Sequence, residues 1–190
     1  LAEHLSAFDV ETKPDALAWI LSLGHQLART LAMVHRHHIV HRDLRPDNIL
    51  FAHPSDRNRD RTFPDAYLID FGLAKVFGDE VFLPISTDEE DLLGTDLYMP
   101  PEQWESAKYV TGSADVYALG VILYQLASGR PPFVHDKRQV LMYQHLVCPP
   151  PPLPLRIPTA LASIIFDMLA KRPSVRPSAQ QCADRFFALR

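Results

Sequence analysis

The chain has 190 residues, is 47% hydrophobic and 22% charged, and carries a formal net charge of -4, a balance that fits one globular domain with a substantial core and excludes a global basic field for nucleic acid. Its two cysteines, Cys148 and Cys182, exclude a disulfide framework and read as free thiols, which suits a reducing compartment. The longest strongly apolar run, Val116 to Ala127, is too short to span a bilayer, and the first residues lack the charged-then-apolar pattern of a targeting signal.

Leu1 to Phe8 has apolar residues at 1, 5 and 8, an amphipathic turn or two of helix that needs neighbours to hold it. Thr12, with Asp15 three residues on and Pro14 in the first turn, is the expected cap of a long helix. Leu17, Ile20, Leu21, Leu27, Leu31 and Val34 carry that helix at its own spacing to about His35. His35, His37, His38 and His41 follow closely, but they fall in different elements and no carboxylate or thiol has matching spacing, so they are not read as a metal site.

The next stretch, His41 to Asn48, places two acids, an amide and two arginines on one expected loop, and Asp70-Phe71-Gly72 follows at a strand end. Such a set is equipped to hold magnesium and a phosphate beside a hydroxyl nucleophile. Ile49 to Phe51 and Ala66 to Ile69 are short β-prone runs, expected to form a hairpin around a long polar loop from His53 to Asp65. Arg57, Arg59 and Arg61 alternate there with Asp56 and Asp60 and read as solvated. Leu73 to Leu93 shows no sustained period and carries six acids around Ser86 and Thr87. A loop of that length is functional or disordered.

Ser113 is expected to cap a helix of about 113–128, ended by Gly129 and the Pro131-Pro132 pair. Apolar side chains cover nearly its whole circumference, so it should be buried on all sides. Asp115 near its start is either a first-turn dipole partner or a buried acid organising another segment's amides. Asp136 to Val147, Ala160 to Leu169 and Ala179 to Leu189 are further helices, the last opened by a Ser178 and Gln181 capping box. Pro149 to Pro154 reads as a stiff connection. The sum is a mainly α domain with a small β hairpin.

His41-Arg42-Asp43 with Asn48, then Asp70-Phe71-Gly72, then Gly94-Thr95 through Tyr98-Met99-Pro100-Pro101-Glu102, then Asp115 to Gly120 and Gly129 to Phe133, and finally Arg176, resemble in order and approximate spacing the motifs of a protein kinase. Tyr143 to His145 and the proline-rich connection bring the resemblance closest to bacterial Ser/Thr kinases. It implies the large, C-terminal lobe of a two-lobe α+β kinase fold over residues 1–190, with catalytic loop 41–48, magnesium motif 70–72, activation segment 70–102 and a buried central helix. The implied activity is transfer of the ATP γ-phosphoryl group to a Ser/Thr hydroxyl of a protein substrate.

The resemblance also implies roles. Asp43 would orient the substrate hydroxyl and accept its proton, while Asn48 and Asp70 would hold two Mg2+ ions bridging the ATP phosphates. Arg45 stands near the transferred phosphoryl group where Ser/Thr kinases usually have lysine, bringing a planar fork instead of a point charge. Thr95 would bond Asp43, Leu50 would floor the adenine, and Arg42 would meet an activation-loop phosphate on Ser86 or Thr87. His41 and Phe71 are expected to pack and orient, Gly72 completes the magnesium motif, and Glu102 with Arg176 is expected to be a buried structural ion pair.

Three departures accompany the match. Pro100 stands where the family usually has alanine, and the interval from Asn48 to Asp70 implies an insertion in the 53–65 loop. The chain also has neither a Gly-rich phosphate loop nor a strand lysine paired with a helix glutamate. It opens on Leu1 and not on Met, which suggests a piece cut from something longer. The expectation is therefore a large-lobe fragment lacking its N-terminal lobe, inactive alone, with apolar surface left exposed around Leu50 and Phe71. A pseudokinase or docking module that binds partners without transfer is the alternative, and a small-molecule kinase is disfavoured by the Gly94 to Glu102 segment. The expected location is cytoplasmic, with room for a membrane anchor outside the chain, and no nucleic-acid partner is expected.

Overall fold

The computed structural model describes residues 1, 15–52, 63–71, 75–76, 96–106 and 110–190. The first long helix, α1, runs Ala16–Arg36 and turns Ile20, Leu23, Leu27 and Leu31 inward. The expected cap Thr12 lies outside the described residues. Asp15 takes the N-cap position, without a side-chain cap bond. Two tiny strands, β1 (Ile39–Val40) and β4 (Lys75–Val76), pair antiparallel, while β2 (Ile49–Ala52) and β3 (Asp65–Leu68) form the expected hairpin in the register Ile49↔Leu68 through Ala52↔Asp65. Gln26 of α1 fastens β3 from outside: its Oε1 accepts from Ala66 N at 2.9 Å and its Nε2 donates to the Pro64 carbonyl at 3.3 Å.

Downstream of a short helix α2 (Pro101–Glu105), α3 spans Gly112–Ser128 as the pillar of the domain. Every residue from Ala114 to Tyr124 is buried, which fits a helix that is apolar all round. Thr111 and not Ser113 occupies its N-cap, the two hydroxyls lying 2.8 Å apart, because the chain stays extended until Thr111 and the helix starts a turn-fraction early. At the far end Gly129 adopts φ +83°, a left-handed geometry that suits glycine, and its N–H returns to the Gln125 carbonyl at 2.8 Å.

Helices α4 (Arg138–Val147), α5 (Thr159–Met168) and α6 (Ala179–Ala188) complete the bundle, and the Ser178–Gln181 capping box is formed in both directions. The core lies where α1 meets α6 and α3, and where α3 meets α5. At the second of these Gly120 lets the backbones close in: a Cβ there would stand 2.9 Å from Met168 Cβ. Among the described residues no helix is long and apolar enough to cross a membrane. The β1–β4 pair and α2 have no counterpart in the sequence reading, since two and five residues are too few to show a period.

Candidate active site

The loop from His41 to Asn48 is shaped by a carboxylate that lies more than seventy residues away. Asp115, in the first turn of α3 and 1% exposed, accepts from His41 N through Oδ2 and from Arg42 N through Oδ1, both at 2.9 Å. His35 Nε2, at the end of α1, donates to the same Oδ2 at 2.8 Å. Of the two roles open to Asp115, the structure has the buried acid that organises another segment's amides. Arg42 sits at φ +69°, a left-handed conformation costing a non-glycine residue on the order of 1–2 kcal/mol, and these two bonds hold it there.

With the loop's start pinned, Asp43 is fixed from its other end. Asn48, at the close of a 3-10 turn (Pro46–Asn48), donates its Nδ2 to the Asp43 carbonyl at 2.7 Å and to Asp43 Oδ2 at 3.2 Å. The Asn48 carbonyl in turn accepts from Ile69 N at 3.0 Å, which brings Asp70 to the same end of the hairpin. Asp70 is exposed and also left-handed, at φ +58°. His41 ties the two stretches together, its Nε2 donating to the Ile69 carbonyl at 2.9 Å and its ring packing at a tilt, 4.6 Å from that of Phe71. Leu50 presents a half-exposed apolar face on β2, and Arg45 pairs with Asp47 at 2.7 Å within the loop.

Asn48 spends its amide nitrogen on Asp43, so its Oδ1 is the atom suited to a cation, and with the Asp70 carboxylate it makes a pair of hard oxygen donors. That donor chemistry fits magnesium, which takes one or two carboxylates and fills its shell with water and phosphate.

Residues 96–106 form the opposite wall. Tyr98 Oη donates to Gln125 at 2.8 Å, and burial, with Asp47 nearby, pushes its hydroxyl up to about 12. Trp104 Nε1 donates to the Met99 carbonyl at 3.2 Å, and Gln103 Nε2 to the Arg42 carbonyl at 3.3 Å. A narrow cleft runs between Arg42-Asp43-Leu44 and Tyr98-Met99-Pro100. Beneath it, Arg176 and Glu102 form the expected ion pair, bidentate at 2.7 and 2.8 Å. The Arg42 guanidinium is pushed below its ordinary value by burial, against the pull of Asp115. Its one described contact is a long one, 3.4 Å to the Val110 carbonyl, and its shielded Nε–H has no acceptor among the described residues.

Thus His41, Arg42, Asp43, Arg45, Asn48, Leu50, Asp70 and Phe71 share one end of the hairpin, while Glu102, Asp115 and Arg176 support it from below. Gly72, Ser86, Thr87 and Thr95 lie outside the described residues. The partnerships of His35, weighed only as a metal ligand, and of Gln103 and Arg138 escaped the sequence reading. Their partners are 80, 61 and 42 residues away, and no local spacing announces such pairs.

The protein kinase domain pattern matches residues 10–187. The chain is 38% identical over 183 residues to the DNA damage-responsive serine/threonine-protein kinase RqkA of Deinococcus radiodurans, covering 95% of the chain and 25% of that protein. It is 35% identical over 161 residues to the serine/threonine-protein kinase PkaA of Streptomyces coelicolor, covering 85% of the chain and 27% of that protein. It is likewise 35% identical over 175 residues to the serine/threonine-protein kinase PknH of Mycobacterium tuberculosis, covering 90% of the chain and 25% of that protein. The chain therefore spans about a quarter of the length of these relatives.

Proposed function

The chain belongs to the protein kinase domain family, and from that premise we propose that the protein transfers the ATP γ-phosphoryl group to a Ser/Thr hydroxyl of a protein substrate, with Asp43 as the proton acceptor. The observation that carries this reading is the double grip of Asn48 on the Asp43 carbonyl and carboxylate, set on a backbone pinned by Asp115. A base held at both ends faces the cleft in one orientation, which is what a hydroxyl nucleophile needs of it. Asn48 Oδ1 and Asp70 would hold magnesium, and Leu50 would pack against the adenine. Bound Mg-ATP supplies the phosphoryl group and neutralises charge as it develops.

Arg45 would exchange its Asp47 pair for the phosphoryl group, and Thr95 would bond Asp43 from the acceptor wall. The partly buried Arg42 guanidinium, with its spare Nε donor, suits a phosphate on Ser86 or Thr87. Phosphosite mapping on the active protein tests this last role, which fails where neither residue is modified.

Mg-ATP and a generic protein acceptor, incubated with the full-length protein, test the whole reading. Incorporation into serine or threonine should fall about 100-fold or more in Asp43→Asn, the usual worth of a positioned base. Equal incorporation by the variant would overturn it, and nucleotide binding without transfer by the wild type would favour the docking-module reading. The sequence of the 190 residues contains no Gly-rich phosphate loop. We therefore read them as the large lobe and expect no transfer from them alone. Robust incorporation by the purified chain, abolished by Asp43→Asn, contradicts that.

A further inference from the structure

One contact on the acceptor wall comes from α4 and has no role in the chemistry above. Asp96, one residue past Thr95, is 1% exposed, and a carboxylate so buried needs a cation. Arg138, in the first turn of α4, reaches it with Nε to Oδ2 at 2.6 Å and Nη2 to Oδ1 at 3.4 Å. The same guanidinium lies 4.8 Å from the centroid of the Trp104 ring. A single side chain from a separate helix thus grips residues 96–106 near both ends. Between its two holds lie Tyr98, Met99 and Pro100, which line the cleft facing Asp43. Trp104 closes the span with its bond to the Met99 carbonyl, and Gln103 joins it to the Arg42 carbonyl. Asn48 and Asp70 are held elsewhere, through the hairpin and Ile69.

We propose that Arg138 is a positioning residue for the acceptor substrate: by neutralising Asp96 and covering Trp104 it sets the 98–100 wall of the cleft, so acceptor binding depends on it and nucleotide binding does not. The kinetic half of this rests on the phosphoryl-transfer reading, whereas the conformational half stands on the contacts themselves. Lysine is a poor substitute, since an ammonium can reach Asp96 or stack on the indole but has no planar fork to do both.

The test uses the full-length protein with myelin basic protein as acceptor. Arg138→Leu should raise the acceptor KM about tenfold while the ATP KM stays within about twofold, with Arg138→Lys between them. Because leucine strands a buried carboxylate, the neutral pair Asp96→Asn/Arg138→Gln is measured alongside and should show the same pattern. Parallel rises in both KM values, or no change in either, overturn the proposal. Amide exchange is followed on the same proteins, where residues 96–106 should exchange faster in both variants and 116–124 should not. Unchanged exchange over 96–106 overturns the proposal whatever the wild-type activity. A wild type that transfers nothing yet shows the exchange difference refutes the kinase reading alone.

Discussion

Replacing Arg176 by methionine should be among the most damaging single changes in this chain. A guanidinium has five N–H donors, and here Nε serves the Ala170 carbonyl, Nη1 serves Glu102 Oε1 and the Ser113 carbonyl, and Nη2 serves Glu102 Oε2 and the Lys171 carbonyl, at 2.7 to 3.0 Å. The guanidinium also stacks 4.8 Å from the Tyr117 ring. The side chain is wholly buried and that of Glu102 only 13% exposed. Methionine fills a similar volume but strands a carboxylate and three carbonyls. Breaking a buried pair from one side costs about 3–5 kcal/mol, a large part of the roughly 5–15 kcal/mol that holds a domain together. For a domain this size the Tm should fall by roughly 6–20 °C. Urea denaturation of the purified chain and Arg176→Met measures the loss at unchanged slope. Arg176→Met/Glu102→Gln should recover part of it, since no buried charge remains. A loss below about 1 kcal/mol, or a double variant no better than the single, refutes the account.

Other outcomes follow from the same geometry. Asp115→Asn keeps one carbonyl oxygen for the two backbone donors and turns an NH2 toward the other, so it should cost roughly 1–3 kcal/mol and speed amide exchange at His41 or Arg42; unchanged exchange at both counts against the hub. His145 is buried among the Trp104, Tyr117 and Phe133 rings. Burial first, and then the Lys171 ammonium, push it down to about 3 from 6.5. The unfolded chain therefore takes a proton below about pH 6.5 that the folded chain refuses until about 3, and this contribution to stability is full above 6.5 and lost as pH falls. Relative to His145→Phe, the wild type should lose roughly 2 kcal/mol between about pH 6.5 and 5, readable by denaturation at both values; parallel profiles exclude it. Ser178→Ala removes a formed capping box and should cost about 1 kcal/mol, seen as a lower urea midpoint.

Long helices were legible because their core faces repeat, and the hairpin because its β-prone runs flank a polar loop. Helix α3 shows where that legibility stops. Its span and burial follow from its composition, but its first residue turned on whether Thr111 or Ser113 left the extended region first, and either can cap a helix. The site divides in the same way. Asp43, Asn48 and Asp70 stand in motifs whose spacing is local, whereas His35, Gln103 and Arg138 act on partners brought near only by the fold. Nothing in the pattern around Asp96 tells that its carboxylate is buried, and a sequence reader would place it in solvent.

Two buried side chains of opposite charge carry this division to a physical conclusion. Asp115 faces up from α3, takes three donors and imposes a left-handed turn on Arg42 just before Asp43. Arg176 faces the same helix from below, gives all its donors away and fixes Glu102, hence the α2 end of residues 96–106. Both act through α3, where Ser113 and Asp115 stand two residues apart, so the 41–48 loop and residues 96–106 are both referenced to one turn. Gln103, bonded to the Arg42 carbonyl, is the direct strut between them. A domain organised this way can vary the loops around the cleft while the spacing of Asp43 from residues 98–100 stays set by the first turn of one buried helix and the Gln103 strut.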